Sequence, residues 1–226
     1  MIAFILAAAA ATDPLLTELQ EKGAPPPLTC PIDVVVEANG GDDQEIQRMR
    51  VDPTTEEVTL LDENGDPIAQ EETDEEPEQD DEDGEGNTVS IDSTDYEDIL
   101  ELLDLPFERV EETEAGVLFR ATDLPKGTVD LGDLDLSRRS QLELTVSEGE
   151  AGPFISAYRA ELTRPMRVRV VARILSFESE IQYTEFDGQP RTQTQQLAAS
   201  VSALGNRQEF SVNMDFSYPA CDGEAL

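Results

Sequence analysis

The last third of the chain alternates apolar and polar residues with a period of two. Every second residue of segment 210–218 is apolar: Phe210, Val212, Met214, Phe216 and Tyr218. Successive side chains of a β-strand point to opposite faces, so this pattern predicts a strand with one apolar and one polar face. Segments 142–146, 154–162 and 197–203 alternate in the same way. Such strands, joined by short turns, predict an antiparallel sheet with one buried face and one wet face.

A break in the alternation predicts a bend in one long strand. The apolar series of residues 168–174 continues from Phe177 onward, but shifted by one residue. Such a slip moves every later side chain to the other face and is typical of a β-bulge. The Asp-Gly pair at 187–188 and the Gly-Asn pair at 205–206 predict the turns that follow.

Two short helices are predicted alongside these strands. Asp13 and Gly23 are typical of the first and last residues that bound a helix, with a proline in its first turn. Thr94 and Glu97 form a capping box ahead of a second helical pattern over residues 95–103. Both helices carry an apolar side and are therefore expected to pack on the apolar face of the sheet.

Further segments have the composition of short strands: 32–38, 45–51, 58–61, 107–111 and 116–121. The whole pattern predicts a mainly β protein in which an antiparallel meander forms an open half-barrel or a sandwich. Two short helices would cover its apolar face. We expect a single β-rich domain over residues 12–226.

The charge of the chain is strongly negative and unevenly distributed. The formal net charge is −36, and residues 71–85 contain 11 acidic side chains in 15 positions. Such a run buries no apolar surface to offset its ordering entropy, so the insert 70–88 is predicted to be a disordered acidic loop. The charge excludes nucleic acid and anionic membranes as favoured partners, because both would be repelled. It favours cationic partners, including divalent metals.

The first eleven residues indicate export. Met1 precedes a short apolar segment and an alanine run, with no charge before Asp13. This pattern is typical of a secretory signal peptide over residues 1–11, and it is shorter than the roughly 20 residues needed to span a bilayer. The expected location is therefore the periplasm or the extracellular medium. The alternative is an N-terminal helix buried in the fold.

The two cysteines, Cys30 and Cys221, lie before the first strand segment and after the last one. In an oxidising compartment such a pair favours a disulfide, which would tie the two ends of the sheet together. The alternative is two distant and unpaired thiols.

The residues of common catalytic sites are missing from the sequence. The chain has no histidine, and its only lysines are Lys22 and Lys126. Histidine general bases, Ser–His and Cys–His nucleophile pairs and most transition-metal sites are thereby excluded. No glycine-rich phosphate or dinucleotide motif is present. We therefore expect a protein that is not an enzyme and that has no catalytic residues and no bound cofactor.

One segment has the spacing of a weak calcium loop. Asp81, Asp83 and Glu85 place oxygens at alternating positions, and Asp92 stands where an EF-hand loop carries its last ligand. Residues 62–66 alternate acidic and amide side chains in a similar way. Weak Ca²⁺ binding is one expectation for these residues. A solvated acidic loop without a metal is the alternative.

Arg167, Arg169 and Arg173 form a basic stripe on one side of a strand pattern. One interpretation of the stripe is a docking face for an acidic partner or for the chain's own acidic loop. Alternatively, it is a wet strand face whose arginines pair across strands with residues such as Glu178 and Glu180.

In the order of its elements, the chain resembles the outer-membrane lipoprotein carriers, a superfamily of exported half-barrels. The similar parts are the leading helix, the long meander and the mid-chain helix over residues 95–103. The resemblance implies that an apolar ligand or an envelope protein binds on the half-barrel face. We further expect a monomer with at most peripheral membrane contact. The alternative function is a structural or calcium-responsive interaction protein that acts through the acidic loop.

Overall fold

The computed structural model describes residues 13–41, 43–68, 96–132, 134–169 and 172–219. It confirms a mainly β protein with an antiparallel sheet that is not closed into a barrel and with two short helices. The strands are β1 (Ile32–Gly40), β2 (Asp43–Asp52), β3 (Glu57–Leu61), β4 (Glu108–Thr113), β5 (Gly116–Ala121), β6 (Asp130–Leu131), β7 (Leu134–Asp135), β8 (Ser140–Gly149), β9 (Gly152–Leu162), β10 (Met166–Arg169), β11 (Ala172–Phe186), β12 (Gln189–Ala203) and β13 (Asn206–Ser217).

The strand order of the large sheet is β3-β2-β1-β13-β12-β11-β9-β8-β5-β4. Strand β10 pairs only with β11, and β6 and β7 form a separate two-stranded sheet. The first and last strands of the chain are neighbours inside the sheet, where Asp33 of β1 faces Ser217 of β13. The prediction that the chain ends mark the ends of the sheet is therefore wrong. Strands β3 and β4 form its edges.

Both edges of the sheet are protected against pairing with another chain. All side chains of β4 are exposed, and three of them are glutamates. Arg109 of β4 holds Asp13 at 3.1 Å and lies 5.6 Å from the centre of the Phe119 ring. At the other edge, the Ile68 N–H donates to the Leu60 carbonyl at 2.9 Å. Charge and a returning chain are common ways to block an exposed edge.

Helix α1 (Pro14–Lys22) forms as the sequence predicts. The Asp13 carboxylate accepts a hydrogen bond from the Leu15 N–H at 3.0 Å and so satisfies a free donor of the first turn. Gly23 ends the helix with φ 72°, a conformation that costs glycine little. Leu16 and Leu19 are each 1% exposed, and the helix packs on β9.

Helix α2 (Tyr96–Glu101) continues into a 3-10 turn (Leu102–Asp104). Its predicted cap, Thr94, lies outside the described residues. Ile99 and Leu103 are fully buried on the sheet side of the helix. The Tyr96 hydroxyl accepts a hydrogen bond from the Ile155 N–H at 2.9 Å, and its ring meets Tyr183 edge-on at 5.0 Å. The helix is thereby fixed to the strands beneath it.

The hydrophobic core lies between these helices and one half of the sheet. Its largest fully buried side chains are Phe119, Leu16, Leu19, Ile99, Leu103, Leu136, Leu142, Leu144, Ile155, Ile174, Ile181 and Val146. Most of them come from the two helices and from β5, β8, β9 and β11. Leu103 lies in the 3-10 turn after α2, and Leu136 lies in the connection before β8. Within the described ranges, no buried member of this core cluster belongs to β1, β2 or β3. We call this part of the face the covered half.

Residues 166–169 and 172–174 lie in two paired strands and not in the single strand predicted. Met166 of β10 faces Ile174 of β11, and Arg167 faces Arg173. Antiparallel pairing keeps the alternation in phase across the reversal, so the sequence pattern cannot reveal that the chain turns back. The predicted bulge is confirmed, because the β11–β12 register shifts between Ile174 and Ser176.

The turn predicted at residues 187–188 is confirmed. Asp187 and Gly188 have φ values of 53° and 67°, the combination required by a type I′ hairpin turn. The last turn lies at Leu204 and Gly205, one residue before its predicted place, and β13 begins at Asn206.

Three tyrosines should make the fold sensitive to alkali. Burial raises the pKa of Tyr96, Tyr158 and Tyr218 to about 12. An unfolded tyrosine ionises near pH 10, so the unfolded state releases its protons first as the pH rises. The contribution of the protonated tyrosines to the free energy of unfolding is complete below about pH 10 and is lost as the pH rises through about 12. Phenolate absorbance should therefore rise together with unfolding, monitored by circular dichroism. Ionisation of all tyrosines near pH 10 in a folded protein would contradict this.

Candidate functional site

A second apolar area lies on the same face of the sheet, beyond the helices. Phe210 of β13 packs against the core cluster. Because side chains alternate along a strand, Val212, Met214 and Phe216 share that face with Phe210. Across the β1–β13 pair, Met214 faces Val36. The apolar face of the core therefore continues onto β13 and β1.

The same face extends to the sheet edge at β3. Across β1 and β2, Val34 faces Met49, and Met49 faces Leu60 of β3. Val51 of β2 faces Val58 of β3 in the same way. These side chains form one surface four strands wide. We define it as the open patch: Val34, Val36, Met49, Val51, Val58, Leu60, Val212, Met214 and Phe216.

The open patch is less enclosed than the covered half. Val58 is 53% exposed, and every other member is half-buried except Val34, which is 7% exposed. The two helices make their main contacts with β9 and β12. Neighbouring strands shield the flanks of these side chains, and the main helix contacts within the described residues lie elsewhere on the face. Contiguous apolar surface of this kind marks an interaction site more often than chance exposure does.

Acidic and polar groups border the open patch. On the patch face, Glu45 and Gln47 of β2 face Ala38 and Val36 of β1. Residues 1–150 carry 42 acidic and only 8 basic side chains. On the opposite face of the same strands, Arg50 forms a bidentate pair with Asp33 at 2.6 and 2.9 Å. The open patch is therefore an apolar area in a region of the chain that carries a strong excess of negative charge.

The wet face of the covered half carries a ladder of charges. Arg120 of β5 holds Glu143 of β8 at 2.6 Å. Arg159 of β9 lies 2.8 Å from Glu161, 3.0 Å from Glu178 and 3.9 Å from Glu143. Glu143 and Glu178 lie on the two strands that flank β9, whereas Glu161 lies on β9 itself, and the cross-strand ion pairs favour this register of the sheet. We assign this ladder a structural role.

A depression of about 380 Å³ lies over the junction of β1, β12 and β13. It is lined by Asn39, Gly41, Ser176, Ala198, Ala199, Ser200, Arg207, Glu209, Phe210 and Ser211. Arg207 donates to the Ser200 hydroxyl at 2.9 Å and pairs with Glu209 at 2.5 Å. Because the cation is already paired and the lining is mixed, the depression lacks the apolar enclosure of a typical ligand pocket.

The predicted metal ligands Asp81, Asp83, Glu85 and Asp92 lie outside the described residues, so calcium binding stays a prediction. The weaker pattern at residues 62–66 is a turn.

In that turn, the Asp66 and Asn64 N–H groups donate to the Asp62 carboxylate at 2.9 and 2.8 Å, and these bonds lower the pKa of Asp62. In the part of the chain that is described, no three acidic, His or Cys side chains converge to hold a metal. The turn therefore uses its carboxylate for backbone hydrogen bonds.

The predicted disulfide joins a described residue to one that is not. Cys30 precedes β1, whereas Cys221 lies outside the described residues, so the bridge stays a prediction.

The basic stripe does not form the cross-strand pairs with Glu178 that were one of its two predicted interpretations. The directly paired neighbours of Arg173 are Arg167 and Ser202, while Glu178 pairs with Arg159.

Sequence comparison does not place the chain in a family. No protein-family model matches it, and the comparison with curated proteins gives no match. Among solved structures, the ywiB protein from Bacillus subtilis aligns over 83% of this chain and 92% of that chain, with 9% identity and a TM-score of 0.14. That score is too low to indicate a shared fold. The described helices include none long and apolar enough to cross a membrane.

Proposed function

We propose that this chain is a non-catalytic, exported binding protein whose open patch docks a partner protein. Export is inferred from residues 1–11. The observation that carries the binding role is the division of the apolar face. The chain's own helices cover one half, whereas most side chains of the open patch stay partly exposed. The missing histidine chemistry supports a role without catalysis.

The shape of the open patch favours a protein over a small apolar ligand. Small ligands are usually enclosed by concave pockets that bury most of their surface. The patch is an open sheet surface, and the apolar face next to it is covered by helices that bury Leu16, Leu19 and Ile99, each at most 1% exposed. A protein interface needs about 800 Å² on each side, for which an extended sheet face is suitable.

The charge of the chain favours a partner with a basic rim. Two copies of this chain would bring net charges of −36 together, which disfavours a dimer across the patch. Anionic lipid surfaces would be repelled for the same reason. A partner with an apolar centre and surrounding Lys or Arg side chains would bury the patch and also complement residues such as Glu45.

The proposal is tested with a labelled amphipathic peptide of leucine and lysine as the probe. Binding is measured by fluorescence anisotropy for the intact protein and two variants. Met214→Glu places a carboxylate in the patch, and Ser211→Glu places the same charge on the wet face of the same strand. We expect Met214→Glu to weaken binding by about tenfold or more, because the patch can no longer be desolvated without burying a charge. Ser211→Glu should leave the affinity nearly unchanged.

Two results would overturn the proposal. Equal affinities for both variants would show that the peptide is attracted by charge alone. Binding of neutral phosphatidylcholine vesicles with the same sensitivity to Met214→Glu would assign the patch to lipid and not to a protein. Circular dichroism and urea unfolding of each variant check that the sheet is intact.

A further inference from the structure

The depression over β1, β12 and β13 has a floor of small side chains. Ser211 of β13 faces Ala198 of β12, and Ser200 of β12 faces Ser176 of β11. Ala198 also faces Glu178 of the charge ladder, so this floor lies on the wet face, opposite the open patch. The volume of about 380 Å³ is within the range of small-ligand sites. The depression is therefore large enough for a small molecule and is separate from the open patch.

Longer polar side chains form the border of the depression. Asn39 of β1 lies opposite Ser211, and Arg207 and Glu209 belong to β13. The Arg207 guanidinium and the Glu209 carboxylate pair at 2.5 Å, so their charges cancel. Both side chains are mostly exposed, and among the described residues Arg207 Nη1 has no hydrogen-bond partner. The border therefore offers donors and acceptors without a net charge.

The floor contains a buried hydroxyl group that is only half used. Ser200 is 3% exposed, and its Oγ accepts a hydrogen bond from Arg207 Nε at 2.9 Å. A serine hydroxyl can also donate, but within the described ranges no group accepts the Ser200 proton. The Ser211 hydroxyl likewise accepts from the Asn39 amide at 3.5 Å and keeps its own proton. Buried polar groups normally find partners, so these free donors indicate a bound molecule with acceptor oxygens.

We propose that the depression binds a neutral saccharide. Each hydroxyl group of a sugar ring both donates and accepts, so it matches the serine hydroxyls and the Asn39 amide. The paired Arg207 and Glu209 add one donor and one acceptor at the border. An anionic ligand would be repelled by Glu209 and by the net charge of −36, and Arg207 disfavours a cationic one. The exposed Ala198 methyl group leaves room for the apolar C–H edge of the ring.

The test is a titration of the ¹⁵N-labelled protein with glucose, galactose, mannose and N-acetylglucosamine, followed by the amide chemical shifts. Glucuronate, a sugar ring with a carboxylate, is the charged control. Ser200→Ala removes the floor hydroxyl, and Ala198→Leu fills the depression. Ser202→Ala is the matched control, because it removes a hydroxyl from the same face of β12 outside the depression.

We expect at least one of the four neutral sugars to give saturable shifts at the amides of the depression, whereas glucuronate gives none. Ser200→Ala should weaken binding by about fivefold to tenfold, the effect of one lost hydrogen bond. Ala198→Leu should abolish binding, and Ser202→Ala should change the Kd by less than about twofold. Met214→Glu, in the open patch, should leave sugar binding unchanged. Urea unfolding of each variant checks that the sheet is intact.

Three outcomes would overturn the proposal. If none of the four neutral sugars gives saturable shifts, the free Ser200 proton serves solvent water and not a saccharide. Binding of glucuronate as strong as that of the neutral sugars would show that charge and not the hydroxyl set selects the ligand. Equal losses in Ser200→Ala and Ser202→Ala would place the sugar elsewhere on the wet face.

Discussion

Replacing Phe119 with alanine is expected to lower the free energy of unfolding by about 3–5 kcal/mol. Phe119 is fully buried in β5, where it faces Leu144 of β8 and belongs to the core cluster beneath the helices. The loss combines the transfer of a large apolar side chain with the cost of the cavity left behind. Urea unfolding followed by circular dichroism measures the change directly.

Phe216→Ala is the matched control, because it removes the same atoms from the open patch. Phe216 is half-buried, so less apolar surface returns to water and less of a closed cavity forms. We expect Phe216→Ala to lower the free energy of unfolding by less than half as much as Phe119→Ala does. Equal costs for the two substitutions would show that the patch is as enclosed as the core. The distinction between the covered half and the open patch would then be wrong.

Reduction of the predicted Cys30–Cys221 bridge is expected to lower stability by up to about 5 kcal/mol. The bridge would close a loop from residue 30 to residue 221, and cross-linking restricts the unfolded ensemble most for long loops. The structure supports the pairing in one respect. Strands β1 and β13 are direct neighbours, and the opposition of Asp33 and Ser217 brings the chain before β1 close to the chain after β13.

The disulfide is tested by melting the intact protein with and without a thiol reductant. The double variant Cys30→Ser/Cys221→Ser should melt at the temperature of the reduced protein and should not respond to the reductant. Reduction adds one hydrogen atom to each sulfur, so intact mass before and after it should differ by two hydrogen atoms. Labelling of both thiols in the unfolded but unreduced protein would show that no bridge forms.

Local structure was predictable where short-range chemistry determines it. The Asp13 cap, the type I′ turn at Asp187 and the bulge after Ile174 each depend on a few adjacent residues, and each is confirmed. The alternation in residues 210–218 likewise determines which side chains of β13 share a face. These features need no information from distant parts of the chain.

Long-range pairing was not predictable from these patterns. The contact between β1 and β13 joins residues that are 170 to 184 positions apart, and neither strand carries a local signal for its neighbour. The reversal between β10 and β11 preserves the apolar phase, so Met166 and Ile174 share a face whether or not the chain turns. The pairing of Arg159 with Glu143 and Glu178 also follows from the strand register and not from sequence spacing.

The candidate site was predictable only in part. The sequence identifies Met214 and Phe216 as apolar-face residues, but it does not show whether anything covers them. Coverage depends on where two short helices pack, and α1 and α2 pack over β9 and β12. The exposure of the open patch therefore depends on tertiary packing. A helix packed over the same apolar side chains would make them part of the core.

The methionine methyl groups allow the most direct test of the open patch. The chain has four methionines, of which Met49 and Met214 lie in the patch and Met166 packs against the core cluster. The protein is labelled with ¹³C in the methionine methyl groups, assigned by Met→Leu variants, and titrated with the leucine–lysine peptide. If the peptide binds the open patch, we expect the Met49 and Met214 signals to shift together while the Met166 signal stays in place. Saturable binding that moves the Met166 signal, or none of the three, would contradict it.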